Sequence, residues 1–346
     1  MDMHSFLRAI PKVSLHLHLE GSVQPGTFIE LAAKHGVELP DGVDPADPYD
    51  YPDIYGFLTV YNLVGQSVRD RDDFRRITYE TLQEAAHNGV RYREMFWSPM
   101  DHFQVGVDYA VAIDGIVDGI RDANSDFGIE CRMIADINRM EEPEAGLAMV
   151  QTVVDNPRDE AIGIGLDYAE ADFPPERLWK AYRLAAEQGL HRTAHACEDA
   201  PARNIETCLD LLGCERIDHG YHVLGDDDLV RRCVDDGVVF TCCPVSTAWV
   251  YFDGDLANHP IKEMAARGIK LMIDCDDPPM FKTDPANDYI VAADEMGFGP
   301  ADFRQFMLNG IDGTWLDEPT KRRWRLEWGR EVDDLIAQLD DEDKTE

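Results

Sequence analysis

Val13-Ser14-Leu15-His16-Leu17-His18 is a short apolar run that ends in two histidines. It predicts a β-strand, in which successive side chains point to opposite faces, so that His16 and His18 share one face. Two imidazoles about 6–7 Å apart at the end of a strand can converge on one ion. An isolated pair of this kind is more often hydrogen-bonded in a core. The metal interpretation therefore depends on the rest of the chain.

Seven further apolar, β-branched runs predict strands, and amphipathic helical patterns lie between them. Eight strands, each followed by a helix, predict an α/β fold of the (β/α)8 TIM barrel type. A doubly wound open sheet is the competing architecture, but no glycine-rich phosphate turn follows the first strand. The predicted strands cover residues 13–19, 90–97, 129–137, 161–167, 191–197, 216–219, 238–243 and 269–275, and helical patterns include 73–88 and 176–188.

The length of 346 residues and the 44% hydrophobic content predict one barrel domain over residues 1–338. Segment 20–72 is too long for a single crossover, so we expect extra helices inserted after the first strand, covering one mouth of the barrel as a lid. The acidic residues 339–346 are expected to be disordered. No apolar run is long enough to span a bilayer and no signal-type segment is present, which predicts a cytoplasmic protein without a membrane partner.

The charge of the chain excludes one class of partner. Lys and Arg number 32 against 68 Asp and Glu, which gives a formal net charge of −36. Such a surface repels polyphosphate backbones, so nucleic-acid binding is not expected. The eight cysteines form no CxxC pair and are expected to be reduced. The sequence indicates no oligomeric state.

Polar residues of unusual kinds fall where the predicted strands end. The C-terminal ends of the strands form one face of a barrel, and active sites lie there, so residues far apart in the chain are expected to meet. Three imidazoles and a carboxylate suit Zn²⁺ with one position left for water, whose pKa then falls from 15.7 to about 7. The residues concerned are His16, His18, His195, His219, Asp276 and Asp277.

Two residues near this cluster are candidates for moving protons. Glu198 follows His195 by three positions, beside the metal without needing to ligate it. His219 is placed to orient or deprotonate the activated water. Asp276 and Asp277 point to different sides, so one can reach the metal while the other meets a substrate polar group. The alternatives are a surface or helix-capping Glu198, a buried structural His219 and a solvated Asp-Asp-Pro turn.

The sequence also favours one metal over two. Binuclear barrel hydrolases generally need a bridging group, often a modified lysine, at the end of a middle strand. The fourth predicted strand ends Gly165-Leu166-Asp167-Tyr168 and carries no lysine. Cysteine-ligated nucleobase deaminases need H-x-E with P-C-x-x-C. This chain has Cys242-Cys243-Pro244 instead, which excludes that class.

Several ordered motifs together resemble the adenosine/adenine deaminase group of the amidohydrolase superfamily, over nearly the whole chain. They are PKVSLHLHLEG at 11–21, GIGL at 163–166, HACE at 195–198, RIDHG at 216–220, CPVS at 243–246 and DCDDP at 274–278. The resemblance implies a barrel that binds one zinc ion per chain and hydrolytically deaminates a small 6-aminopurine.

The resemblance also implies residue roles. Glu198 would protonate the purine N1 while zinc-activated water attacks C6, His219 would position that water, and Asp277 would bond the purine N7. Ammonia then leaves and a 6-oxopurine remains. The implied zinc ligands are His16, His18, His195 and Asp276.

Residues beside the sugar position leave the substrate open. Glu20 stands where many adenosine deaminases carry Asp, but the adenine branch also carries Glu there. Tyr168 replaces a glycine beside the purine N3, and its ring is expected to crowd a sugar. The string at 163–167 is closer to the adenine branch, whereas Phe-Trp-Ser-Pro at 96–99 is nearer the nucleoside branch.

Phe57, Leu58 and Tyr61 resemble the apolar lid of the family, with ordinary helix packing as the alternative. Adenosine is the first predicted substrate, and adenine or an N6-substituted adenine is the second. Two other functions remain: a barrel hydrolase that opens a cyclic amide or ester, and a purine-binding protein without catalysis. Glu198 disfavours the first, because purine deamination needs a ring nitrogen to be protonated. The complete set of ligands and acid disfavours the second.

Overall fold

The computed structural model describes residues 1–342 as parallel strand segments alternating with helices. The strands are β1 Lys12–Ser14, β2 Val90–Trp97, β3 Glu130–Asn138, β4 Ala161–Asp167, β5 His191–Arg192, β6 His195–Ala196, β7 Ile217–His219, β8 Val239–Cys242 and β9 Lys270–Ile273. The α-helices are α1 Met3–Ala9, α2 Pro25–His35, α3 Ile54–Ser67, α4 Arg71–His87, α5 Pro99–Gln104, α6 Tyr109–Phe127, α7 Pro143–Asp155, α8 Trp179–Glu187, α9 Arg203–Thr207, α10 Asp227–Asp236, α11 Pro244–Tyr251, α12 Ile261–Ala266, α13 Pro285–Asp294, α14 Pro300–Gly313 and α15 Glu318–Glu342.

The strands follow one another in chain order around a barrel. Hydrogen bonds give the orders β1-β2-β3-β4-β5 and β6-β7-β8-β9, with every neighbouring pair parallel. β5 and β6 are two pieces of one predicted strand: between them, Thr193 donates from its N–H to the strand before and Ala194 accepts from the strand after. The N–H of His18 donates to the Asp276 carbonyl, and the N–H of Asp276 donates to His16, which joins the first strand to the last. The predicted (β/α)8 fold is confirmed.

The first strand is shorter than predicted, for a reason that lies elsewhere in the chain. The apolar run predicts a continuous strand over 13–19, but β1 ends at Ser14. The N–H groups of Leu15 and His16 donate to the Asp274 carboxylate at 2.6 and 2.9 Å, not to a strand backbone. Regular pairing is interrupted there and resumes at Leu17 and His18 as isolated bridges. The two histidine rings still lie near each other, with centroids 5.8 Å apart.

Two helices of the segment between β1 and β2, α2 and α3, occupy part of the predicted insertion at 20–72. Helix α4 begins at Arg71 because Asp70 caps it, accepting from the N–H groups of Asp72 and Asp73. The predicted helix at 176–188 opens as a 3-10 turn over Pro175–Leu178 and continues as α8. Helix α15 includes residues 339–342 of the predicted tail, and residues 343–346 lie outside the described residues.

Within residues 1–342, no helix is long and apolar enough to cross a membrane. All eight cysteines are buried and free of disulfides, as expected from their apolar surroundings.

Candidate active site

A cavity opens at the C-terminal ends of the strands, between helix α3 and the loops after β4, β6, β7 and β9. Every predicted site residue except His16 and Glu20 lines it. The lining residues are His18, Ile54, Phe57, Leu58, Tyr61, Asp167, Tyr168, Ala169, His195, Glu198, His219, Val250, Tyr251, Asp276, Asp277 and Phe281. The strand ends thus bring together the polar residues that the sequence placed on one face.

The nitrogens of three histidines and one carboxylate oxygen converge at the floor of this cavity. Asp276 Oδ1 lies 3.3 Å from His16 Nε2 and 3.5 Å from His18 Nε2. His18 Nε2 lies 3.1 Å from His195 Nε2. Ligands about 2.0–2.1 Å from an ion at tetrahedral angles are about 3.3–3.4 Å from one another. These three separations therefore fit a tetrahedral cation.

His219 also belongs to this cluster. Its ligand atom lies within 4.8 Å of those of His16, His195 and Asp276. Its Nε2 is 3.4 Å from Glu198 Oε1, so it faces the acid as well as the metal position. His16, His195, His219 and Asp276 therefore form a group that could hold a cation, and His219 is a candidate ligand in addition to the four that the sequence predicted.

The neighbours of His16 determine which of its ring nitrogens carries the proton. The Thr241 hydroxyl donates to Asp218 Oδ1 at 2.7 Å. That hydroxyl has a single hydrogen, so its 2.8 Å contact with His16 Nδ1 must have the ring nitrogen as donor. The lone pair of His16 is then on Nε2, an atom that is buried without a hydrogen-bond partner and faces Asp276. This is the tautomer that binds a cation.

Asp276 is oriented by a hydroxyl from the neighbouring helix. Ser246, in α11, donates to Asp276 Oδ2 at 2.7 Å, which leaves Oδ1 for the histidines. Burial opposes ionisation of Asp276, but the contact of its Oδ1 with the His16 ring outweighs that effect and lowers its pKa. A carboxylate held in its charged form is a suitable ligand for a divalent cation.

Four residues with side chains adopt left-handed backbone conformations at the ends of the strands. Their φ angles are between 59° and 69°, a region that costs about 1–2 kcal/mol for a residue other than glycine. Residues held in this way cluster at functional sites, where the surrounding structure imposes the conformation. They are Tyr168, Cys197, His219 and Asp276.

Glu198 is held against the metal position by a carboxylate that the sequence analysis did not select. Glu170 Oε2 accepts from the Glu198 N–H at 3.1 Å, and its Oε1 accepts from the Cys197 N–H at 2.9 Å. Burial, and then the negative charge of Asp276, raise the pKa of Glu198 well above its usual value. A raised pKa lets the carboxyl keep its proton to higher pH, so that it can donate to a bound ring.

Asp277 lies against a glycine that makes room for it. A Cβ added to Gly21 would lie 1.6 Å from Asp277 Oδ1, so no other residue fits there without displacing the carboxyl. Asp277 Oδ1 is buried and has no hydrogen-bond partner in the protein. Burial and the nearby Asp276 raise the pKa of Asp277 well above its usual value. An unpartnered carboxyl in the cavity wall, with a raised pKa that favours its protonated form, is suited to bind a purine nitrogen.

Tyr168 forms a wall on the side where the sequence analysis expected a sugar. Its hydroxyl donates to Asp101 Oδ2 at 2.6 Å and lies 3.3 Å from Asn62 Oδ1 of α3. Its ring meets that of Tyr61 edge-on, with centroids 6.3 Å apart. Burial raises the pKa of Asp101 to about 6, partly offset by the hydrogen bond from Tyr168. The hydroxyl contacts and the ring contact with Tyr61 together hold the Tyr168 ring in place.

Glu20 lies behind the cavity wall. It is fully buried, and its Oε1 accepts from the Ser98 N–H at 3.1 Å and pairs with His102 Nε2 at 2.9 Å. Its other oxygen has no hydrogen-bond partner. The structure therefore separates Glu20 from the other predicted substrate residues, all of which line the cavity.

The apolar side of the cavity comes from α3 and the loop after β9. Phe57 stacks on Phe281 with centroids 5.0 Å apart and also contacts Tyr51 edge-on at 5.7 Å. Leu58 and Tyr61 line the cavity beside it. A flat apolar slot of this kind suits a planar ring, and no motif in the sequence indicates the contribution of Phe281.

The metal interpretation makes a direct prediction for His195. Replacing it with alanine removes one of the convergent nitrogens, so we expect less metal per chain than in the unaltered protein, measured by elemental analysis. His4→Ala is the matched control, because His4 forms an exposed pair with Asp294 far from the cavity. Equal metal contents in the two variants would contradict this ligand assignment.

Comparisons with known proteins agree with the fold. The adenosine deaminase family matches residues 11–327. An adenine deaminase from Vibrio parahaemolyticus is 30% identical over 97% of this chain and 99% of its own length. A solved amidohydrolase from Burkholderia ambifaria with bound zinc is 39% identical, with a TM-score of 0.90 over 97% of this chain and 94% of that one. The solved adenine deaminase from Arthrobacter aurescens is 32% identical, with a TM-score of 0.89 over 94% and 100%.

Proposed function

This chain belongs to the adenosine deaminase family and is a hydrolase of C–N bonds in cyclic amidines, and we propose that its substrate is free adenine, which it converts to hypoxanthine and ammonia. The observation that carries the proposal is the position of Glu198, whose Oε1 lies 3.4 Å from His219 Nε2 in the cluster of candidate cation ligands. A ring nitrogen must receive a proton when a purine loses its amino group, and Glu198 lines the cavity in contact with His219 of the ligand cluster.

The residues of the chain divide the chemistry among them. His16, His18, His195 and Asp276 would hold a divalent cation, Zn²⁺ in our proposal and one per chain, which would make water a stronger nucleophile at neutral pH. The zinc bound to the Burkholderia ambifaria relative supports this choice of ion. Glu198 gives its proton to N1 of the purine, which makes C6 more electrophilic.

His219 and Asp277 orient the reactants. His219 is in contact with Glu198 on one side and with Tyr221 on the other, through a 3.3 Å contact between its Nδ1 and the phenol oxygen. Its Nε2 is placed to accept a proton from the attacking water. In our proposal Asp277 donates to N7 and fixes the ring so that C6 faces the ligand cluster.

Adenine, the second choice of the sequence analysis, is favoured over adenosine by two observations. The relatives described above from Vibrio parahaemolyticus and Arthrobacter aurescens are adenine deaminases. In our proposal a ribose would extend towards the Tyr168 ring, whose hydroxyl is held by Asp101 and Asn62, and would be excluded by it. Free adenine has no ribose and would therefore not meet the Tyr168 ring in this way.

A substrate panel tests the proposal. Zinc-loaded protein is assayed spectrophotometrically with adenine, N6-methyladenine, adenosine and deoxyadenosine, and ammonia is measured independently. We expect the highest kcat/KM with adenine. Higher values with the nucleosides would overturn the choice of substrate, and release of no ammonia from any of the four would overturn the proposed function.

Tyr168→Gly tests whether the Tyr168 ring excludes a sugar, without changing any proposed catalytic residue. Removal of the ring is expected to raise kcat/KM for adenosine relative to adenine by about 10-fold or more, within the usual range of steric discrimination by a pocket. Tyr168→Phe is the matched control, since it keeps the ring and removes only the hydroxyl that donates to Asp101. An unchanged ratio in the glycine variant would contradict steric exclusion by Tyr168.

A further inference from the structure

We propose that Asp136 is a positioning residue that fixes the proton and the orientation of the metal ligand His18. The inference rests on the proposed metal site and adds to it a residue that the sequence analysis did not select. Asp136 belongs to β3 and is 1% exposed, and its Oδ2 lies 3.6 Å from His18 Nδ1. It occupies the barrel interior beside the floor of the cavity.

The argument starts from the two nitrogens of the His18 ring. Nε2 faces His195 and Asp276 at 3.1 and 3.5 Å. A ring nitrogen that binds a cation carries no proton, so the proton of neutral His18 is on Nδ1. A buried N–H needs an acceptor, because leaving it unpaired costs about 1–3 kcal/mol. Asp136 is the carboxylate that faces it.

Neither partner is engaged elsewhere. His18 Nδ1 and both carboxylate oxygens of Asp136 are buried and have no hydrogen-bond partner in the protein. The 3.6 Å separation is slightly longer than a hydrogen bond. A movement of either side chain by about half an ångström would close it into an N–H···O bond of ordinary length.

Two other histidines of the ligand cluster have a partner at Nδ1, whereas His195 Nδ1 has none. His16 Nδ1 donates to Thr241, which donates in turn to Asp218. His219 Nδ1 lies 3.3 Å from the Tyr221 phenol oxygen. Partners of this kind orient ligand rings and raise their basicity. In the proposal, Asp136 accepts a hydrogen bond from the Nδ1–H of His18, as Thr241 does from the Nδ1–H of His16.

The neighbouring strand is shaped to accommodate this carboxylate. Gly165 of β4 is the register partner of Asp136 in β3. A Cβ added to Gly165 would lie 1.9 Å from Asp136 Oδ1. Any side chain at 165 would therefore push the carboxylate away from its present position. Position 165 therefore needs a glycine, because any larger residue would take the space of the Asp136 carboxylate.

Metal affinity, measured on the apoprotein by competition with a chelator of known zinc affinity, tests the proposal. Asp136→Ala is expected to weaken zinc binding by about 10–100-fold, the usual effect of removing a carboxylate behind a histidine ligand. Asp136→Asn keeps an acceptor oxygen without the charge, so its loss should be smaller. Gly165→Ala should also weaken binding, and adding it to Asp136→Ala should have little further effect, because the atom it displaces is already gone.

Asp73→Asn is the matched control, since it alters a buried Asp–His pair, with His35 at 2.6 Å, outside the cavity. Its zinc affinity should be that of the unaltered protein. An unchanged affinity in the Asp136 and Gly165 variants would overturn the proposal.

A different zinc stoichiometry would also overturn it. If the unaltered chain bound two zinc ions and Asp136→Ala bound one, His18, Asp136 and Asp167 would form a second cation site. These readouts involve no turnover, so an unaltered protein that binds zinc but deaminates no purine would refute the proposed function alone.

Discussion

Glu198→Gln is expected to lower kcat by about 10²–10⁴-fold while the protein keeps its metal, the range found when a positioned acid–base group is removed. Glutamine preserves the size of the side chain and its contact with His219, but it has no acidic proton to give to N1. The Glu198 N–H would still donate to Glu170, so the turn that carries the residue should stay in place. Steady-state kinetics with adenine, together with elemental analysis, measures both parts of the prediction.

The control for this variant is a neighbouring carboxylate that does not face the substrate. Asp199→Asn changes the next residue in the chain, which is absent from the cavity lining. It should retain most of the activity. Near-normal turnover in Glu198→Gln would show that another group protonates the ring, and a loss of metal would show that Glu198 acts as a ligand.

Gly21→Ala is expected to lower kcat/KM for purines by about 10²-fold, the scale of loss that follows a displacement of about 1 Å in a reacting group. The added Cβ would occupy the space of Asp277 Oδ1, 1.6 Å away, so the carboxyl must move. The metal ligands are not displaced by this change, and the zinc content should therefore stay constant. Kinetics and elemental analysis of the same preparation measure the two quantities.

Two variants accompany this measurement. Gly26→Ala also adds a methyl group to a glycine near the start of α2, but its Cβ would have no neighbour within 4 Å, so activity should be retained. Asp277→Ala should reproduce the loss seen in Gly21→Ala. If Asp277→Ala instead releases the metal, the roles assigned to Asp276 and Asp277 are exchanged. If Gly21→Ala is fully active, Asp277 does not need its present position.

The barrel and most of the cavity can be predicted from the sequence because both follow from local patterns. Apolar runs locate the eight strands, and because strand ends share one face of a barrel, His16, His195 and Asp276 are expected to meet there. The exact extent of β1 does not follow from such patterns. Its interruption depends on Asp274, whose carboxylate takes the N–H groups of Leu15 and His16, and this contact joins residues about 260 positions apart.

The residues that the sequence analysis missed act through such distant contacts. Asp136 lies in the middle of an apolar strand, and nothing nearby shows that its neighbours across the barrel are His18 and Gly165. Glu170 had a clearer signal, since it follows the end of β4 by three residues, where functional groups are expected. Glu20 shows the opposite case. A motif placed it among the substrate residues, whereas its bonds to Ser98 and His102 hold it behind them.

The left-handed conformations at the strand ends have a consequence for engineering. Tyr168, Cys197, His219 and Asp276 each adopt a backbone geometry in which glycine would be more comfortable. Selection of a variant library for heat resistance alone would favour glycine at these positions. It would thereby remove two candidate metal ligands, His219 and Asp276. Any stabilised version of this protein should therefore be selected for retained zinc as well as for a higher melting temperature.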